Sequence, residues 1–226
     1  YRNDKRYLSV GNMLDKENKA IYGLEFSYET IPNELNLFDY DAFKAYKGDF
    51  YCVVTNLLTC EAEYMKYTGE DRTNTVLKAT CALPMLFPPI IINDTPYMDG
   101  GLTDSIPFMR ALEDGCDRVL VVLTREAGYT KTTSTSTKAI ARYYEKEYPK
   151  LSEVMLSRAE RYNECLKQLK EYEDSGKVMV IRPAVSKGFS RLEKDKNKIL
   201  SMYNDGYNQG YTLTGDIKKF FNYSNS

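Results

Sequence analysis

Asp99-Gly100-Gly101 sets a carboxylate at the mouth of a glycine loop, with Ser105-Ile106-Pro107 just downstream. The two glycines permit positive φ and the close approach of a second chain segment. Asp-Gly is also a common turn dipeptide, so the tripeptide alone reads first as a plain turn. Its surroundings decide what it means. Three isoleucines at 90–92 and a turn at Asn93-Asp94-Thr95-Pro96 precede it, and Val119-Leu120-Val121-Val122-Leu123 follows. Pro107 suits the first turn of a helix, Ser105 or Asp104 can cap it, and Gly115 suits the left-handed residue that ends it. The apolar run from Val119, flanked by Asp117, Arg118 and Arg125, reads as a strand covered on both faces. Strand, glycine loop, helix and buried strand make an α/β unit, in which loops at the carboxyl ends of strands host ligands and catalytic groups.

Several linked motifs carry a resemblance. Ala79-Thr80-Cys81-Ala82-Leu83-Pro84-Met85-Leu86-Phe87-Pro88-Pro89, then Tyr97-Met98-Asp99-Gly100-Gly101-Leu102, Pro107 and Ala111-Leu112-Glu113-Asp114-Gly115-Cys116-Asp117-Arg118-Val119 resemble the patatin-like phospholipase family, closest to its bacterial members. The likeness extends upstream to Asp4-Lys5-Arg6-Tyr7-Leu8-Ser9 and downstream into the 160s. It implies an α/β fold, a three-layer α/β/α arrangement with a mostly parallel central sheet whose N-terminal part is missing, and a lipid acyl hydrolase working through a Ser-Asp dyad. On that likeness Asp99 is the dyad aspartate, and Gly100 and Gly101 shape its loop. The chain contains no histidine, so a carboxylate would have to take the serine proton itself, from a partly desolvated site that raises its pKa.

The family's glycine-rich oxyanion loop and G-x-S-x-G nucleophile elbow are not found in the chain. Tyr7-Leu8-Ser9-Val10-Gly11 comes nearest, but tyrosine stands where the first glycine belongs, and Ser9 is rejected as nucleophile. The expectation is therefore the C-terminal portion of a single patatin-like domain, spanning 1–226, with the serine on polypeptide outside it. A lipid- or partner-binding member without catalysis remains the alternative. A nucleotide-binding domain would need a G-x-G-x-x-G or Walker sequence, and neither occurs.

Composition narrows the classes further. With 31 basic and 32 acidic residues in 226, net charge is −1, and a sequence pI near 5.8 gives no footprint for nucleic acid. Cys52, Cys60, Cys81, Cys116 and Cys165 are odd in number and unpatterned, and read as reduced, mostly buried thiols of a cytoplasmic protein. No metal or cofactor is expected. No apolar run is long enough to span a bilayer. A lipid or ester is the expected substrate, which leaves room for transient contact with a membrane surface.

The remaining elements follow in order. Residues 1–37 form a tyrosine-rich arm, read as a surface connection or as a flap over an acyl pocket. Asp39 opens a short helix to Tyr46, and 49–56 is a strand with a hairpin partner at 59–68. Thr55-Asn56 falls at a strand end, where a side chain can reach a site. A helix from Thr73 stops at Pro84, and 83–89 either lines an acyl channel or packs as core. The Thr/Ser/Lys run 130–138 reads as a mobile loop. A long helix follows from Pro149 to Asp174, its apolar residues recurring every three or four, then a strand at 177–182. Ser190-x-x-Glu193 reads as a capping box opening a helix towards Tyr203, and 206–221 is helical at its end.

Overall fold

The structure is a computed structural model that describes residues 1–186, 188–189 and 193–222. The chain forms two compact units. One comprises Tyr1–Ile106 and Thr132–Ala159; the other comprises Pro107–Lys131 and the described residues from Glu160 onward. The class is mixed α/β.

The first unit is built on a four-stranded sheet ordered β2-β1-β4-β3, with β1 at Tyr51–Asn56, β2 at Ala62–Lys66, β3 at Ile90–Ile92 and β4 at Thr95–Asp99. Every neighbouring pair in it is antiparallel. This corrects the expectation of a mostly parallel sheet, and for two of its three pairs the reason is connection length. β1 and β2 are joined by a short loop and β3 and β4 by Asn93-Asp94, and links so short force antiparallel pairing. Both Asn93 and Asp94 have positive φ, 48° and 61°, as a two-residue hairpin turn that matches strand twist requires.

Around this sheet stand α1 (Val10–Leu14), a π-helical segment at Phe26–Leu35, α2 (Tyr40–Ala45), α3 (Thr75–Thr80) and α5 (Thr135–Glu145). Asp39 caps α2 as expected, accepting from the Ala42 N–H at 2.8 Å. The N-terminal arm is tied down rather than free. Asn18 sends its amide to the carbonyls of Asn12, Ala20 and Tyr22 and accepts from the Leu24 N–H. Buried Ala20, Ala82 and Phe87 then join it to the 83–89 segment, with Tyr22, Leu24 and Tyr28 packed alongside. A second cluster unites Leu57, Met98 and Leu102 with Ala141, Tyr144, Leu151 and Met155. Residues 135–145 are thus a packed helix, whose start overlaps the 130–138 run expected to be a mobile loop. Ser134 caps it, accepting from the Thr137 N–H at 3.1 Å, and Ala141 and Tyr144 give it a buried face.

The second unit holds α4 (Phe108–Glu113), a parallel pair of β5 (Val119–Val122) and β6 (Val178–Ile181), α7 (Lys196–Thr212) and α8 (Thr214–Phe220). Pro107 is the N-cap of α4 without a side-chain bond, so neither Ser105 nor Asp104 caps it, and Gly115 follows with φ +96°. β5 is not covered on both faces: Val121 is buried but Val122 is 69% exposed. α6 runs Pro149–Asp174, the bounds read from its apolar spacing. α7 begins later than expected, with Asp195 capping the Asn197 and Lys198 N–H groups. Ser190, the other end of the expected box, lies outside the described residues. The helix also runs straight through Gly206 to Thr212. Among the described residues, no helix is long and apolar enough to cross a membrane.

Candidate active site

Asp99 is the last residue of β4, in register with Val54 of β1. Its N–H donates to the Ala82 carbonyl at 3.0 Å, which anchors its backbone just before the 83–89 segment. Its own carbonyl accepts from the fully buried Thr55 hydroxyl at 2.8 Å, and that hydroxyl lies 2.9 Å from Thr103 Oγ1. Thr55, flagged at a strand end, therefore holds the Asp99 backbone. The Asp99 carboxylate is half-buried and caps a single 3₁₀ turn at Gly100–Leu102, Oδ1 accepting from the Gly101 N–H at 2.7 Å.

The two glycines answer to different neighbours. A Cβ at Gly100 would lie 2.2 Å from the Val53 carbonyl oxygen, so the loop can cross β1 only without a side chain. A Cβ at Gly101 would lie 2.9 Å from Asp99 Oδ1 and 3.2 Å from Arg158 Nη2. Arg158, on α6, also donates through Nε to the Gly101 carbonyl. The carboxylate thus lies beside a backbone N–H and a nearby guanidinium.

Two serines deserve placing. Ser105 Oγ donates to the Gly101 carbonyl at 2.8 Å, which directs its hydrogen away from Asp99. Ser9 is the N-cap of α1, accepting from the Asn12 N–H at 3.3 Å, in keeping with its rejection as nucleophile.

Cys81 is the titratable neighbour. Its surface is exposed, yet atoms crowd its thiol closely enough that desolvation, the largest effect, raises its pKa; a Tyr28 hydrogen bond opposes this and the Asp99 charge adds to it. Burial also pushes the Tyr28 hydroxyl up, with Cys81 contributing, and lifts the Cys52 thiol to about 11. All five cysteines are free; Cys52 and Cys60 are buried, while Cys81 and Cys116 are exposed, fewer buried than expected. Among the described residues no group of three His, Cys, Asp or Glu side chains can hold a metal ion.

The sequence singled out Asp99, Gly100 and Gly101 but not Arg158, one cation among many on a long charged helix. Only the path of α6 past Gly101 reveals it.

Comparison with known proteins gives two matches. Residues 148–222 match a domain of unknown function (DUF6363), and residues 9–112 match the patatin-like phospholipase model. No curated protein matches the chain. The patatin-like match covers the stretch that holds Cys81 and the Asp99 loop.

Proposed function

We propose that the complete protein is a serine acyl hydrolase acting on phospholipid or other lipid esters, with Asp99 as the base of a Ser-Asp dyad. A serine outside these 226 residues attacks the ester carbonyl as Asp99 takes its proton. Backbone N–H groups of a glycine-rich loop, also outside the chain, hold the oxyanion. Water then releases the fatty acid from the acyl-enzyme. The reading rests on one observation above the others: a half-buried carboxylate at the head of a glycine turn, steadied by the Gly101 N–H, inside the segment that matches a lipid-hydrolase family. These 226 residues hold no histidine, so the proton acceptor they can contribute is a carboxylate.

Gly100 keeps the loop against β1, and Gly101 leaves space for the carboxylate and Arg158. In a parent protein carrying the serine, Asp99→Asn removes the base and is expected to lower turnover of a p-nitrophenyl ester about 10³-fold without altering Tm. The 226-residue chain alone is expected to show no turnover. Ester hydrolysis by this chain that Asp99→Asn abolishes would overturn the placing of the nucleophile outside it.

A further inference from the structure

The second unit contains a cleft of about 720 Å³ beyond the carboxyl end of β5, walled by the 123–130 loop and by the face of α6 that carries Tyr162, Leu166 and Leu169. Its size falls within the roughly 300–1,000 Å³ typical of small-molecule sites. The floor is apolar: Leu123 and Leu169 are buried, and the Tyr129 and Tyr162 rings meet edge to face at 6.1 Å. The wall is fixed in place. The Asn163 side chain clasps both polar groups of the Lys131 backbone, accepting from its N–H at 2.8 Å and donating to its carbonyl at 2.9 Å. None of this belongs to the patatin-like segment, which ends at residue 112.

The rim selects for charge. Four cations line the cleft, Arg125, Lys167, Lys170 and Arg182, against two carboxylates, Glu126 and Glu173. Most are engaged: Lys167 with Glu164, Lys170 with Asp174, Arg182 with Glu173 at 3.7 Å, and Glu126 with the Ser186 N–H and hydroxyl. Arg125 differs. Its guanidinium lies over the Tyr129 ring, 4.8 Å from the centroid, and makes no ion pair among the described residues. A guanidinium stacked on an aromatic face beside an apolar floor offers a planar fork of donors that matches a carboxylate. One such cation suits a monoanion with a long apolar body; a polyphosphorylated ligand would need several.

We propose that this cleft binds a free long-chain fatty acid, its carboxylate on Arg125 and its acyl chain along Leu123, Leu166 and Leu169. The inference stands on the cleft alone, and its test reads binding rather than turnover, so its failure leaves the Asp99 reading untouched. The purified protein is titrated with cis-parinaric acid by fluorescence, and the probe is displaced by oleate, by oleyl alcohol and by phosphatidylcholine vesicles containing phosphatidylglycerol. Saturable binding is expected, with oleate displacing about tenfold better than oleyl alcohol. Arg125→Gln is expected to weaken oleate about tenfold and leave oleyl alcohol unchanged, the unchanged alcohol also showing an intact fold. Absence of saturable binding, equal affinities for oleate in the two proteins, or displacement by vesicles but not by free oleate would each overturn the proposal.

Discussion

A methyl group at position 100 would meet main chain, which cannot turn aside as a side chain can. At 2.2 Å from the Val53 oxygen, the strand and the loop must separate, and overpacking of this kind costs about 1–3 kcal/mol. Gly100→Ala is therefore expected to lower Tm, measured by thermal unfolding, more than Gly101→Ala, whose methyl would press only on the ends of two side chains. The sequence revealed that something approaches these glycines closely; which strand does so depends on the β1–β4 register. Asp71 offers a second test at this scale. Burial alone would raise its pKa, but hydrogen bonds from Thr73 and Thr75, including both backbone N–H groups at the start of α3, hold it at about 2. The folded state thus binds the proton less readily than the unfolded chain. The stabilisation is complete above the ordinary carboxylate pKa of 3.8 and is lost as pH falls towards 2. Asp71→Asn is expected to flatten that part of the stability–pH curve in denaturant titrations, and an unchanged acid limb would count against it.

Among the elements, those whose signal is local were legible. α6 was read to both ends because Pro149 suits a first turn, its apolar residues keep helical spacing, and Gly176, at φ +74°, halts the chain just beyond. α5 was missed because its first turn, Thr135-Ser136-Thr137, has a composition typical of disorder; burial of Ala141 and Tyr144 outweighs weak propensity. Its start depends on the Ser134 hydroxyl, so Ser134→Ala is expected to cost about 1 kcal/mol, a fall of about 2–4 °C in Tm for a protein of this size. No change in Tm would show that packing alone sets that end. Strand positions were largely legible too. Strand direction was not: short links make β1–β2 and β3–β4 antiparallel, but β1 and β4, with α3 between them in sequence, are antiparallel as well, while β5 and β6 are parallel. α7 passes through Gly206 and Gly210, whose open surroundings show that no packing requires glycine there.

For the molecule as a whole, the loop proposed to carry the chemistry was legible and its company was not. Asp99 and its glycines are contiguous in sequence, whereas Arg158 comes from the far side of 56 intervening residues, and the Arg125 cleft joins a loop to a helix face that no spacing rule connects. The two compact units add a constraint on how the gene can be divided. Each is made of two separate stretches, 1–106 with 132–159 and 107–131 with 160 onward. Ala141, Leu151 and Met155 complete the hydrophobic centre that Leu57, Met98 and Leu102 begin. An expression clone stopped at the patatin-like boundary would strip these three side chains and that of Tyr144 from that centre, and one begun at residue 148 would omit β5 and leave β6 without its hydrogen-bonded mate. Dissecting the protein into independently folding halves would require splicing the stretches into a new order, not merely trimming an end.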